Sequence, residues 1–385
     1  MLIAPDAWAE PQALRGRTVL LAMSGGVDSS AAAVLLQRRG ARVLGLTLKN
    51  FCDSEVDSDT SCCSLRHVLD ARAVCARLGI EHFLLDVTRD FGRRVIDRFV
   101  AEYGAGRTPN PCVDCNQAVR FPVLLQQAQA LGAEWVATGH YASVGRDAAG
   151  GVFLRRGADA RKDQSYALHA LTQEQLAHSM FPLGEFTKEQ TREMARRFGL
   201  RVAEKEDSQD LCFVKDNDYR GFLQRQIPSA LVAGEIVDTR GNVLGKHNGL
   251  SLYTIGQRKG LGIAVGEPLF VVELDAKRNA VVVGRENELG RRELVAQNVN
   301  WIAGHAPAQE IRAMVKIRYR ASEVNATVTP IHTASAHPST PLHSALDGSS
   351  ARVEFDQPLR DITPGQYAVF YEGEVCLGGG VIRKE

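Results

Sequence analysis

The feature that most constrains the fold is an alternation of apolar runs with helical stretches between residues 18 and about 140. The runs TVLLAM, RVLGLTL and HFLLDV are each followed by a stretch with helical periodicity. This alternation is typical of βαβ units, and it predicts an α/β fold with a doubly wound parallel sheet. Ligands bind such sheets at the carboxyl ends of the strands, so we expect the loops after Met23, Leu48 and Thr138 to share one crevice.

The chain of 385 residues is too long for one ordinary domain. A helical pattern over 172–205 gives way to a β pattern from about 231, where LFVVELDAKRNAVVVG predicts a hairpin around Lys277, Arg278 and Asn279. Period-two runs after about 291 indicate a small barrel, with residues 329–350 as a long surface loop inside it. We therefore predict an α/β domain over 1–220, a small central β-rich domain over 221–290 and a β-barrel over 291–385.

Charge and segment composition limit the partners and the compartment. Lys and Arg number 46 against 45 Asp and Glu, so the net charge of +1 attracts neither nucleic acid nor membrane globally. Any polyanion site must then be a local patch. The N-terminal residues lack the pattern of a secretory signal, and no apolar run has transmembrane length, so we expect a cytoplasmic protein without a membrane partner.

One candidate patch is the run IRAMVKIRYR. If it is a strand from Ile311 to Arg320, it carries four cations on one face, with no acidic residue between them. These are Arg312, Lys316, Arg318 and Arg320. Such a face is either ordinary solvated surface or a set of phosphate contacts.

A phosphate-binding loop is indicated by the string SGGVDSS over Ser24–Ser30. It follows an apolar strand and opens a helix, so backbone N–H groups and the helix dipole converge there on an anion. The loop has no lysine, unlike a Walker A loop, and Asp28 offers a hard oxygen ligand to Mg²⁺. A tight turn capped by Ser29 is the alternative. The whole string resembles the signature of the ATP pyrophosphatase superfamily, whose members adenylate a substrate oxygen and release pyrophosphate.

Eight cysteines in a long chain without a signal favour metal binding or thiol chemistry. Cys112 and Cys115 form a Cys-x-x-Cys after two prolines, which predicts a rigid loop rather than a helix. Cys212 lies in the polar string EDSQDLCF, and the two cysteine segments could meet at one site. A structural zinc is the competing interpretation, but the chain has no second Cys-x-x-Cys to complete four ligands.

The other cysteines carry weaker signals. Cys75 and Cys376 are expected to be buried small hydrophobes in a helix and a strand. Cys52, Cys62 and Cys63 flank the acidic stretch DSEVDSDT, and their role is left open.

The strings GGVDSS, GRTPNPCVDCN, ATGHYA, KDQSYAL, EDSQDLCF, YTIGQRKGLGI and IRYR occur in this order over nearly the whole chain. Together they resemble the bacterial tRNA-specific 2-thiouridylase family. The resemblance implies ATP-dependent 2-thiolation of the wobble uridine in the tRNAs for Lys, Glu and Gln. It also implies an N-terminal nucleotide domain, a small central domain and a C-terminal β-barrel.

The same resemblance implies specific residues. The implied ATP contacts are Ala22, Met23, Ser24, Gly25, Gly26, Val27, Asp28, Ser29, Leu48 and Gly139. The implied tRNA contacts are Asn110, Pro111, Cys112, His140, Lys162, Asp163, Gln164, Arg318, Tyr319 and Gln366, of which the first three would face the target base. Cys115 is implied as the nucleophile and Cys212 as the persulfide carrier. The family's commonest form has Asp where this chain has Cys112.

The sulfur chemistry leaves two routes open. Sulfur arrives either on a Cys212 persulfide, loaded by a cysteine desulfurase or a sulfur-relay protein, or on an iron–sulfur cluster held by Cys112, Cys115 and Cys212 with one iron unligated by protein. The cofactors expected in either case are ATP and Mg²⁺. The rival functions are a cysteine-independent ligase acting on a small molecule and a nucleic-acid-binding module with a vestigial loop.

Overall fold

The computed structural model describes residues 14–51, 65–206, 211–214, 218–228, 231–263, 266–331 and 349–383. The chain divides by its contacts into two compact units. The first contains residues 1–95, 112–217 and 374–376, and the second contains residues 96–111, 218–373 and 377–385. The domain boundaries at 221 and 291 stay predictions from the sequence.

Ten α-helices lie in the described residues: α1 Val27–Arg38, α2 Leu65–Leu78, α3 Thr88–Phe91, α4 Asp97–Gly104, α5 Pro111–Cys115, α6 Phe121–Ala130, α7 Ser165–Leu168, α8 Gln173–Ala177, α9 Lys188–Arg197 and α10 Tyr219–Gln226. The strands of the same residues are β1 Thr18–Ala22, β2 Arg42–Lys49, β3 Glu81–Asp86, β4 Trp135–Ala137, β5 Ala142–Arg146, β6 Val152–Arg156, β7 Ser179–Met180, β8 Gly234–Asp238, β9 Val243–His247, β10 Phe270–Asp275, β11 Ala280–Gly284, β12 Arg291–Trp301, β13 Ile311–Lys316, β14 Val324–Ile331, β15 Ser350–Leu359, β16 Tyr367–Glu372 and β17 Val375–Ile382. None of the described helices is long and apolar enough to cross a membrane.

The first unit is built on a parallel sheet with strand order β3-β2-β1-β4-β7. Each neighbouring pair in this sheet is parallel. The three middle residues of β1, Val19 to Leu21, are fully buried, because helices cover both faces of such a sheet. Helix α1 packs against α9 on one side. The predicted doubly wound α/β fold is confirmed.

The carboxyl ends of β1 and β2 are tied together, which positions the candidate site. The Met23 amide donates to the Leu46 carbonyl at 2.8 Å, and the Thr47 hydroxyl donates back to the Met23 carbonyl at 2.8 Å. Strands β5 and β6 form a hairpin in the same unit, where Val375 and Cys376 of β17 pair with β6.

The second unit contains a four-stranded sheet with order β10-β11-β8-β9. Strands β10 and β11 form the predicted hairpin, in which Asp275 pairs with Ala280. The turn needs a left-handed residue, and Asn279 supplies it with φ of 50°. Helices α4 and α10 belong to this unit, where Phe99 and Phe222 pack edge to face at 6.1 Å.

The second unit also contains a closed barrel of six strands in the order β12-β15-β14-β13-β16-β17. Pairing of β12 with β17, through Ala296 with Ile382 and Trp301 with Gly378, closes it. The predicted C-terminal β-barrel is therefore confirmed. The surface loop predicted over 329–350 lies outside the described residues, apart from its ends in β14 and β15.

Two local predictions are wrong. The strand predicted from Ile311 to Arg320 ends at Lys316, so Arg318 and Arg320 lie in the following turn and not on the strand face. The segment with Cys112 and Cys115 is the short helix α5 and not a loop. Its first residue is Pro111, and proline is well suited to the first helical position because it has no N–H to leave unpaired.

Candidate active site

The loop between β1 and α1 has the backbone of an anion site. Gly25 has φ of 71°, and a Cβ added there would lie 2.1 Å from the His67 carbonyl oxygen, so only glycine fits. Gly26 is extended and precedes the first turn of α1, which directs the helix N-terminus at the loop. The loop hydroxyls brace this shape, since Ser24 and Ser29 Oγ lie 3.2 Å apart and Ser30 donates to the Gly26 carbonyl at 2.8 Å.

The predicted ATP contacts gather around this loop. A Cβ on Gly139, just after β4, would lie 2.8 Å from the Ser29 amide nitrogen, so the β4 loop touches the start of α1. Leu48 is half-buried as the penultimate residue of β2, and Ala22 ends β1. Met23, Gly25 and Val27 are buried, whereas Ser24 is exposed. The loops after β1 and β4 are therefore in contact, as expected from the sheet topology, and the crevice that they would share with the loop after Leu48 stays a prediction.

Asp28, at the second position of α1, has two partners from distant segments. Lys188 Nζ donates to both Asp28 carboxylate oxygens, at 2.8 Å each. The Tyr141 hydroxyl donates to Asp28 Oδ1 at 2.8 Å and lies 3.0 Å from Thr191 Oγ1. The loop itself has no lysine, but the folded site contains one.

The predicted tRNA contacts of the segment 162–164 point partly inward. Asp163 is buried, and its carboxylate accepts from the amides of Gly157 and Ser165 and from the Ser165 hydroxyl at 2.8–3.1 Å. Gln164 exchanges two hydrogen bonds with the backbone of Tyr141. Lys162 is half-buried. Asp163 and Gln164 thus shape the chain that carries Tyr141 to Asp28.

The cysteine pair lies in α5, with different exposure for the two thiols. Cys112 is exposed, whereas Cys115 is buried, and both are thiols. Asn116 follows, buried, and its amide donates to the Ala167 carbonyl at 2.9 Å. Asn116, directly after Cys115, therefore fixes the position of Cys115 through its bond to Ala167.

His140 connects this segment to the nucleotide loop. Arg120 Nη1 donates to Asn116 Oδ1 at 2.8 Å and lies 3.4 Å from His140 Nε2. A guanidinium can only donate, so Nε2 is unprotonated, and His140 Nδ1 donates to the Thr138 hydroxyl at 2.7 Å. Burial and the Arg120 charge lower the pKa of His140 to about 3. The imidazole is therefore neutral at physiological pH.

Cys212 lies in a turn that an aromatic contact anchors. Phe213 is buried and packs edge to face on Phe91 at 5.9 Å, and the Val214 amide donates to the Leu211 carbonyl at 3.2 Å. Cys212 itself is half-buried. The anchored turn leaves this thiol accessible from solvent.

The other cysteines behave as predicted where they are described. Cys75 in α2 and Cys376 in β17 are buried, and burial raises the pKa of the Cys75 thiol to about 11. Cys52, Cys62 and Cys63 lie outside the described residues.

Within the described ranges, no group of three or more His, Cys, Asp or Glu side chains is arranged to hold a metal ion. The three thiols Cys112, Cys115 and Cys212 thus do not form a cluster site in this arrangement.

The remaining predicted tRNA contacts belong to the second unit. Arg318 is half-buried, and its Nη2 donates to the carbonyls of Ile255 at 3.0 Å and Asp361 at 3.2 Å. The Gln366 amide donates to the Thr108 carbonyl at 3.0 Å, beside the half-buried Asn110. Tyr319 is half-buried, and Pro111 is buried.

Sequence reasoning missed the residues that complete these contacts: Asn116, Arg120, Tyr141, Lys188 and Lys205. Lys205 Nζ donates to the Gly25 carbonyl at 3.1 Å and to Asp70 Oδ2 at 2.5 Å. Apart from the Arg120–Asn116 bond, their partners lie at least 20 residues away in sequence, so no local pattern identifies them. Lys188 had one signal, because a cation at a helix N-terminus opposes the helix dipole and requires a partner.

Comparisons with known proteins cover nearly the whole chain. Residues 17–216 match a family described as the tRNA methyl transferase HUP domain, 220–285 the tRNA methyl transferase PRC-barrel domain, and 291–382 the aminomethyltransferase beta-barrel domain. The chain is 46% identical over 391 residues to a tRNA-specific 2-thiouridylase of Symbiobacterium thermophilum, covering 100% of this chain and 96% of that protein. It is 49% identical over 367 residues to one of Moorella thermoacetica, covering 94% of this chain and 99% of that protein.

A solved structure of a U34-tRNA thiolase from Methanococcus maripaludis with its [4Fe-4S] cluster also matches. Its TM-score is 0.35 at 15% identity, over 57% of this chain and 66% of that chain.

Proposed function

The chain belongs to the tRNA-specific 2-thiouridylase family, and from this membership we propose that it uses ATP to replace the 2-oxygen of a tRNA wobble uridine with sulfur. The observation that carries the proposal is the arrangement of the first unit. Gly139 packs on the start of α1, and the adjacent His140 meets Arg120, five residues after Cys115. One continuous set of contacts thus joins the nucleotide loop to the thiol pair.

The nucleotide loop would activate the uridine. The 2-carbonyl oxygen of uridine is a poor leaving group, and adenylation turns it into a good one. This oxygen attacks the α-phosphorus of ATP and forms a new O–P bond, and pyrophosphate leaves with the electrons of the broken P–O bond. The Asp28 side chain is 33% exposed, and one carboxylate together with phosphate oxygens suits Mg²⁺. Asp28 would hold the ion, which neutralises polyphosphate charge when bound. The loop amides and the α1 dipole would orient the phosphates.

The cysteines would deliver the sulfur. The terminal sulfur of a Cys212 persulfide attacks C2 of the adenylated uridine, and AMP departs. The Cys115 thiolate then attacks the sulfur of Cys212, which forms a Cys115–Cys212 disulfide and leaves the thiocarbonyl on the base. A dithiol reductant resets the pair, and a cysteine desulfurase or sulfur-relay protein reloads the half-buried Cys212.

Two observations favour the persulfide over an iron–sulfur cluster. The described residues do not gather three cluster ligands, and Cys112 is exposed while Cys115 is buried. We therefore route the sulfur through Cys212 and give Cys112, with Asn110 and Pro111, the place beside the target base. The proposed partners are the tRNAs for Lys, Glu and Gln, and the proposed compartment is the cytoplasm, where those tRNAs work.

The test is mass analysis of the wobble nucleoside after incubation of unthiolated tRNA with the protein, ATP and a persulfide donor. We expect sulfur to replace oxygen, and pyrophosphate release to depend on the tRNA. Iron is measured in the same anaerobically purified sample. Thiolation by iron-free protein supports the persulfide route, whereas thiolation only after reconstitution with iron and sulfide supports the cluster. ATP turnover that ignores tRNA would instead favour a ligase for a small molecule.

A further inference from the structure

The nucleotide loop lacks a cation of its own, although its reaction needs one. Pyrophosphate leaves with several negative charges, and enzymes that cleave phosphoanhydrides stabilise this charge with lysine, arginine or metal ions. Glycine and serine amides orient the phosphates, but they carry no full charge. Two ammonium groups in the described part of the first unit lie close to the loop. Lys205 Nζ is held by the Gly25 carbonyl and by Asp70, whereas Lys188 Nζ comes from α9 and meets the Asp28 carboxylate.

Lys188 is placed against the carboxylate of Asp28 and is covered by the fold. Its Nζ lies 2.8 Å from both Asp28 oxygens, and its side chain is only 9% exposed against 33% for Asp28. The backbone amide of Lys188 also donates to Asp159 Oδ2 at 3.0 Å, which fixes the start of α9. The ammonium therefore approaches Asp28 from a fixed base, while a third of the Asp28 side chain stays exposed.

The position of Lys188 at the start of α9 does not favour the stability of that helix. Lys188 is the first residue of α9, where the helix dipole disfavours a cation and favours an acidic residue such as Glu189. Departures from such local rules concentrate at functional sites. Asp28, in contrast, is favourably placed in the first turn of α1. Lys188, whose position at the start of α9 is unfavourable for stability, is thus the residue of the pair that the nucleotide reaction can use.

We propose that Lys188 is the phosphate-binding cation of this site, and that its ammonium exchanges the Asp28 carboxylate for the β- and γ-phosphates when ATP enters. The inference rests on the proposed function. It requires only a side-chain rotation, because a phosphate bound at the N-terminus of α1 lies next to the second residue of that helix, which is Asp28. The exchange would leave Asp28 Oδ2 available to Mg²⁺, while Oδ1 still accepts from the Tyr141 hydroxyl. A purely structural role would keep the ion pair intact in the ATP complex.

The experiment compares Lys188→Gln and Lys188→Arg with the control Arg196→Gln, which removes an exposed cation from the same helix. Binding of pyrophosphate and of AMP is measured separately by calorimetry, because AMP lacks the β- and γ-phosphates. For Lys188→Gln we expect pyrophosphate to bind about tenfold more weakly and AMP to bind within about twofold of wild type, with pyrophosphate release slowed about 100-fold. Lys188→Arg should recover part of both losses.

The alternatives give different results. Equal weakening of AMP and pyrophosphate, or unchanged binding of both in folded Lys188→Gln protein, would overturn the assignment. Unfolding of Lys188→Gln would shift the test to Lys188→Arg, for which selective weakening of pyrophosphate binding supports the proposal and wild-type binding contradicts it. If wild-type protein releases no pyrophosphate with tRNA, the proposed function fails, and this outcome is read from the wild type alone.

Discussion

Charged groups are held differently in the two units. In the first unit, the Lys188 ammonium is buried and donates two hydrogen bonds to Asp28 beside the nucleotide loop. In the barrel of the second unit, Arg312 pairs with Asp356 at 2.7 Å, with 59% and 51% of the side chains exposed. Water and salt screen the exposed pair, whereas the burial of Lys188 reduces this screening for the other pair. Substitutions of the charged residues beside the nucleotide loop should therefore slow one chemical step. Substitutions of the charged residues in the second unit should instead weaken the general attraction for a polyanion.

The largest effect is expected at Asp28. Asp28→Asn keeps the size of the side chain but removes the charge that holds Lys188 and that we propose for Mg²⁺, so pyrophosphate release in the presence of tRNA should fall at least about 100-fold. The control is Asp147→Asn, in the β5–β6 turn. An Asp28→Asn rate within a few-fold of wild type would remove this carboxylate from the mechanism.

An intermediate effect is expected at Arg318 in the second unit. Arg318→Ala should weaken tRNA binding several-fold and lower the slope of log affinity against log salt by about one. Arg312→Ala is the matched control, because both arginines have a carboxylate partner, Asp356 for Arg312 and Asp361 for Arg318 at 3.5 Å, and only Arg318 is a predicted tRNA contact. The Arg312→Ala slope should stay near that of wild type. If the Arg318→Ala slope is also unchanged, Arg318 serves only to hold Ile255 and Asp361 and does not contact the tRNA phosphates.

The smallest effect is expected at His140, through pH. Its folded pKa of about 3 lies below the ordinary value of 6.5, so the unfolded chain binds the proton first as pH falls. Stability from this group is complete above pH 6.5 and is lost progressively toward pH 3. Between these values, wild-type unfolding free energy should fall more steeply than that of His140→Gln, by up to about 1.4 kcal/mol per pH unit. Parallel curves for the two proteins would mean that His140 is not held neutral.

Sequence reasoning worked where the signal is local or periodic. The apolar runs predicted β1 and β2, because strands covered on both faces are continuously hydrophobic. The run HFLLDV also predicted β3, although β3 is a partly exposed edge strand. The SGG string predicted a glycine turn between β1 and α1, and the left-handed backbone of Gly25 indeed excludes other residues, whereas anion binding by this loop stays a prediction. Burial of Cys75 followed from its place in a helical pattern.

The same reasoning failed where a contact joins distant segments. Lys188 lies 160 residues after Asp28, in a helix whose charge pattern looks like ordinary solvated surface. The alternation in IRAMVKIRYR continues to Arg320, but strand pairing stops with Lys316, beyond which β14 and β16 offer no partners. Proline residues predicted a loop at Cys112, although Pro111 is well placed to begin a helix.

The central claim is that the nucleotide loop activates the uridine and that the thiols act only afterward. The most direct measurement incubates Cys212→Ser protein with unthiolated tRNA, a persulfide donor and ATP labelled at its α-phosphate. This variant has no persulfide to displace AMP, so the account predicts that labelled AMP accumulates on the tRNA with no gain of sulfur, and that Asp28→Asn protein transfers no label. Thiolation at the wild-type rate by Cys212→Ser protein, or the absence of label on tRNA incubated with Cys212→Ser protein when wild-type protein thiolates the same tRNA, would contradict the account.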